Sequence, residues 1–136
     1  MKQFIVLMAI FPIMIIFILQ FSLNQTNNHN IIKLQEIVYA SKEMAKQNGC
    51  FNSQMEENLR DEIAKTFKIN GDDIILELEM DRKYRKNSFD ERELINYKVK
   101  VPINQIMVAG EFFGISDEDN RGWYVIESFT ASEKLE

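Results

Sequence analysis

From Phe4 to Leu19 the chain reads FIVLMAIFPIMIIFIL, with no charge and almost no polar atom. Counted on to Leu23, the run is about 20 residues long, and a helix of that length reaches about 30 Å, the thickness of a bilayer's hydrocarbon. A core helix of a soluble domain keeps one polar face, which this run lacks. A cleaved secretion signal has a shorter apolar core with small residues behind it. Here Leu19-Gln20-Phe21-Ser22-Leu23 follows, bulky where a peptidase needs small groups, and Cys50 lies too far along to be a lipobox cysteine. The sequence therefore places a retained membrane anchor over residues 1–23. Phe4, Ala9, Pro12, Ile15, Phe17 and Leu23 are the residues expected to hold it in lipid or against neighbouring helices. Pro12 removes a backbone donor and crowds the carbonyl of Met8, which predicts a kink. Ala9 and Pro12 are the narrow points at which another helix approaches closely.

Charge sets the expected orientation. Lys2 precedes the run and the next basic residue is Lys33, so the positive-inside rule puts the N-terminus in the cytoplasm and the rest outside, as a single-pass protein of the cell membrane. All 21 acidic residues and every basic one but Lys2 lie beyond the run, which leaves that part of the chain at -6 and the whole chain at -5. An acidic surface repels phosphate backbones, so no nucleic-acid partner is expected. With one Cys and one His there is no disulfide framework, zinc finger or multi-histidine site.

Beyond the anchor, Asn24–Asn30 (NQTNNHN) is a polar junction where the helix frays or continues. Residues 31–136 then read as one extracytoplasmic α+β domain. Ile31, Leu34, Val38, Ser41 and Ala45 recur at helical spacing, and Gly49 follows as a C′ residue. Ser53 and Glu56 form a capping-box signature for a second helix, which carries Met55, Leu59, Ile63 and Phe67 on one face. Asn70-Gly71-Asp72-Asp73 breaks that period. Three alternating runs follow: Ile74–Asp81, then Ile95–Val101 ended by Pro102, then Trp123–Ala131 after a turn at Asp117–Gly122. In an antiparallel pairing Glu77 and Glu79 face Lys98 and Lys100. A juxtamembrane helix and a second helix on a small three-stranded antiparallel sheet is the expected architecture.

Candidate chemistry is sparse. Asp117, Asp119 and Gly122 sit where an EF-hand loop needs them, but Arg121 takes the fifth place and Ser128 the twelfth, so an acidic hairpin turn is the better reading. The basic run Arg82–Lys86 is neutralised by Asp90, Glu91 and Glu93 and reads as a solvated loop. His29 reads as a linker residue and Cys50 as a structural thiol, with no nucleophile–base pair between them. Asp72 and Asp73 lie in a turn, with no apolar pocket to raise a pKa. The sequence offers no catalytic, cofactor-binding or metal site, and no small-molecule substrate; it reads as a protein that is not an enzyme.

The order of apolar helix, exposed helix and small antiparallel sheet is pilin-like. Together with QFSLNQ after the anchor, Phe89-Asp90-Glu91-Arg92-Glu93, and the C-terminal FFGISDEDNRGWYVIESFTASE, it resembles TadE-like minor pseudopilins of clostridial and related Firmicute tight-adherence (Tad/Flp-type) pilus clusters. The resemblance implies a minor subunit acting in pilus assembly, with other pilus or secretion-system membrane subunits and the lipid bilayer as partners. Pilin-type signals carry a glutamate five places into the mature helix; here no acid occurs before Glu36, which speaks against a main pilin subunit. The rival expectation is a signal-anchored extracytoplasmic binding or sensor module with no pilus role.

Overall fold

A computed structural model describes residues 1–86 and 93–135. The block from Phe89 to Arg92 that contributes to the resemblance lies outside the described residues. Helix α1 runs unbroken from Lys2 to Asn48, through Pro12 and through the polar junction, so the junction continues the helix. After it, among the described residues, come α2 (Ser53–Phe67), a 3-10 turn (Gly71–Asp73), β1 (Ile75–Leu78), β2 (Leu94–Ile103), a further 3-10 turn (Gly110–Phe113) and β3 (Gly122–Ala131). The chain divides into two compact units: Met1–Asn30 with Ile103–Gly122, and Ile31–Pro102 with Trp123–Glu136.

The second unit is an α+β domain in which β1, β2 and β3 lie in that order in one sheet. Its core takes Leu34, Val38 and Ala45 from α1, Leu59 and Ile63 from α2, Ile95, Tyr97, Val99 and Val101 from β2 and Tyr124 from β3. These are the positions that helical and alternating periodicity select. Met55 and Phe67, at the two ends of the α2 stripe, are only half-buried. Phe51, between the helices, meets Tyr97 edge to face with ring centroids 6.1 Å apart.

Gly49 closes α1 at φ +87°, a left-handed conformation natural to glycine. The Gly49 N–H bonds the Ala45 carbonyl at 2.8 Å, and the Gly49 carbonyl accepts the Lys83 N–H at 2.8 Å. The chain approaches so closely there that a Cβ on Gly49 would stand 2.6 Å from the Lys83 carbonyl oxygen. Three more backbone bonds extend this seam, Phe51 N–H to Glu79 O, Glu133 N–H to Lys46 O and Arg85 N–H to Lys134 O. The run Arg82–Lys86 is therefore irregular, as the sequence suggests, yet its backbone is tied down.

The start of α2 differs from the sequence reading. The cap is Asn52, one residue before Ser53, and its side-chain oxygen accepts the Met55 N–H at 2.8 Å. Phe51, 2% exposed, fixes the chain just ahead and leaves Asn52 extended, the geometry a capping side chain needs. Glu56 is then free to meet Arg60 at 3.4 Å, while Arg60 Nη1 donates to the carbonyls of Gly71 and Ile74, both at 2.7 Å, and ties α2 to the turn before β1. At the other end Lys68 caps the helix in the left-handed region at φ 54°. An L-residue pays there for its Cβ, more than glycine loses in chain entropy. Lys68→Gly is expected to raise stability by about 0.5–1 kcal/mol, read as a higher midpoint in urea unfolding of the detergent-solubilised chain.

Strands β1 and β2 are antiparallel, with Glu77 opposite Lys98 but Ile75 opposite Lys100. Glu79 falls past the end of β1 and takes the Asn96 backbone and side-chain N–H groups at 3.0 and 2.9 Å, so the foreseen pairing of two acids with two lysines holds for one pair. Strand β2 also runs through Pro102 to Ile103, where the sequence reading ends it. Proline is tolerated because β1 pairs only with Tyr97–Lys100, leaving no ladder bond on that side for Pro102 to break. Lys98 reaches Glu127 at 3.8 Å, and the Ser132 N–H bonds the Glu93 carbonyl at 2.8 Å, the crossing pattern of an antiparallel β2–β3 pair.

Burial pushes the Glu79 carboxyl up, but the Asn96 hydrogen bonds and the Lys83 ammonium at 2.9 Å outweigh it and hold the group below its ordinary 4.5. Folding therefore favours the carboxylate. Its stabilisation is complete above the unfolded-state pKa and is lost as pH falls through the lower folded value. Glu79→Gln is expected to lower stability at neutral pH and to flatten the acid limb of the stability–pH curve.

Candidate functional site

The first unit pairs the N-terminal part of α1 with the connection between β2 and β3. Every residue from Phe4 to Leu19 except Ile16 is exposed, with Phe4 at 65%, Ile15 at 42% and Phe17 at 75%. This is the one described helix long and apolar enough to cross a membrane. Ile16, Gln20, Leu23 and Asn27 form a half-covered stripe at helical spacing, and the 103–122 connection lies along it.

The amide of Gln20 makes that attachment. Its Oε1 accepts the Val108 N–H at 2.8 Å, and its Nε2 donates to the Ile106 carbonyl at 3.0 Å and to Asn24 Oδ1 at 3.1 Å. A side-chain amide thus pairs with the loop backbone as a neighbouring strand would. Asn27 Nδ2 adds a bond to the Gln105 carbonyl at 3.3 Å.

Inside the loop, Asn120 does the corresponding work. It is 8% exposed, accepts the N–H groups of Ile106 and Met107 at 3.2 and 2.7 Å through Oδ1, and returns Nδ2 to the Met107 carbonyl at 2.8 Å. Gly110 lies against it, where a Cβ would sit 3.0 Å from Asn120 Nδ2. The turn Gly110–Phe113 is bracketed by left-handed Ala109 and Gly114, and it puts Phe112 and Phe113 at the tip, 79% and 52% exposed and edge to face at 5.3 Å.

Between this tip and the helix runs an apolar groove of about 470 Å³, walled by Met8, Ala9, Pro12, Ile13 and Ile16 on one side and Phe112 and Phe113 on the other. Ala9 and Pro12, the narrow points named from sequence, both line it; Phe4, Ile15, Phe17 and Leu23 do not. Sequence reasoning passed over Gln20, Asn120, Phe112 and Phe113. The available signal was that Val101–Gly110 carries no charge in a chain that is 27% charged.

The second unit offers an open groove of about 670 Å³ of mixed polar and apolar lining on the sheet, where Glu77, Lys98 and Glu127 lie among Asn96, Ser128 and Phe129. Trp123, Val125 and Phe129 are about half exposed on β3, at 49%, 51% and 60%. Cys50 is buried and His29 exposed. Among the described residues no three His, Cys, Asp or Glu side chains gather as metal ligands. In the acidic turn, Asp119 accepts the Ser116 hydroxyl at 2.8 Å, a local turn bond. Comparison with protein-family models, curated proteins and solved structures gives no match.

Proposed function

We propose that this protein is a membrane-anchored minor subunit acting in assembly of a tight-adherence-type pilus, in the manner of TadE-like pseudopilins, with its α+β domain on the extracytoplasmic side. The observation that carries the reading is the continuity of α1: one helix supplies both an apolar segment with exposed side chains and, further along, part of the core of a small α+β domain. That is the pilin-like plan, in which a helix anchored in the membrane also joins the subunit to its neighbours. The polarity of the anchor supports assembly over transport or selectivity, since intramembrane charges mark those roles and Phe4–Leu23 has none.

Deleting the gene is expected to abolish or shorten surface pili. A photo-crosslinking residue placed at Phe17 is expected to capture other pilus subunits. Normal pili in the deletion strain, with no captured subunit, would leave the stand-alone binding or sensor module as the better account, its ligand sought in the open groove on the sheet.

A further inference from the structure

We propose that the connection Ile103–Gly122 is a membrane-dipping element, whose tip at Phe112 and Phe113 sits among lipid acyl chains in the leaflet at the Gln20 end of the anchor, clamped to the anchor by Gln20. The inference rests on reading Phe4–Leu23 as a bilayer helix, and it adds a second lipid contact to a chain whose sequence announces one.

Depth is the first argument. Gln20 stands where the apolar run ends and holds the loop at Ile106 and Val108. The aromatic tip shares a groove with Met8, Pro12 and Ile16. Pro12 lies about 12 Å below Gln20 along the helix axis, at 1.5 Å per residue. One leaflet of hydrocarbon is about 15 Å deep, so whatever level Pro12 occupies, the tip occupies with it.

Chemistry is the second. The descending arm of the loop, Ile106-Met107-Val108-Ala109-Gly110, is uncharged, and the two phenyl rings just beyond it are exposed side by side. Such a pair is costly in water and at home in acyl chains, as is the groove behind it, which is lined by apolar residues throughout.

The third is backbone satisfaction. Irregular chain is tolerated at membrane depth only when its polar groups find partners in the protein. The N–H groups of Ile106 and Met107 go to Asn120, that of Val108 to Gln20, and those of Phe112, Gly114 and Ile115 to carbonyls of the same loop. The acids Asp117, Glu118 and Asp119 are exposed and precede Asn120, which bonds back to Ile106 and Met107. Glu111, exposed beside the aromatic pair, is carried toward the bilayer centre with it, and a carboxylate there must draw in water or headgroups, which stops the tip from going further. The tip therefore enters one leaflet and does not cross.

The test uses the full chain in phosphatidylcholine vesicles, with Trp123→Phe removing the single native tryptophan. Phe112→Trp and, separately, Phe113→Trp place a probe at the tip; Ile15→Trp places one on the anchor. Strong quenching of all three by acyl-chain-brominated phosphatidylcholine, with weak quenching by aqueous acrylamide, is the expected result. Adding Gln20→Leu is expected to reverse that pattern at position 112 and leave position 15 unchanged; an unchanged tip would overturn the clamp. Acrylamide access at 112 and 113 with lipid quenching at 15 would overturn the inference while the anchor stands. Lipid quenching absent at all three positions would remove the anchor itself. A tip shielded from both quenchers would be covered by protein, a second copy of this chain or another subunit, and would equally overturn lipid contact.

Discussion

Ile63→Ala is expected to destabilise the α+β unit by about 2–5 kcal/mol, enough to unfold a marginal domain under ordinary conditions. Ile63 is 0% exposed, in the middle of the α2 stripe, where neighbouring Leu59 is 3% exposed. Removing its outer carbons leaves a void between α2 and the rest of the core, which rigid neighbours only partly fill. Each kcal/mol moves the melting temperature of a domain this size by about 4–8 °C, so the loss is visible in a single thermal scan of the detergent-solubilised chain. Ile63→Val, which removes one methylene, is expected to cost about 0.5–1.5 kcal/mol and provides the graded control. Phe67→Ala, at the half-buried end of the same stripe, is expected to fall short of Ile63→Ala although it deletes more atoms. A Phe67 variant more damaging than the Ile63 variant would contradict this placement of the core.

That reversal shows what periodicity can and cannot tell. Four-residue spacing identifies the face of α2, but the depth of each position depends on where the helix meets the rest of the fold, which is set by contacts distant in sequence. The same limit explains the capping of α2. Ser53 and Glu56 satisfy a local pattern, while the burial of Phe51, a tertiary fact, moves the cap to Asn52. Local signals succeeded where the physics is local: the left-handed glycine ending α1, the alternation of β2 and β3, and the apolar run itself. The 103–122 loop was illegible for the opposite reason. It has no period, and its order comes from two side-chain amides, Gln20 and Asn120, whose partners lie up to 88 residues away. An Asn or Gln between apolar segments carries no sequence mark of what it will bond.

Gln20 also frames what happens when an acid enters the anchor without a partner. The Leu, Ile, Phe and Val residues of the run together favour insertion by about 4–7 kcal/mol on the biological scale, whereas one Asp near the centre opposes it by about 2.5–3.5 kcal/mol. Ile15→Asp, on an exposed side of the helix, is therefore expected to weaken the anchor without abolishing it. Membrane recovery after carbonate extraction should become partial. Adding Phe11→Asp, at a site 61% exposed, brings the opposing sum level with the favourable one and is expected to release most of the chain. Gln20 escapes this penalty because its donor and acceptor are both engaged by the loop and Asn24. Full retention of the double variant in carbonate-washed membranes would mean that something other than Phe4–Leu23 holds the protein there.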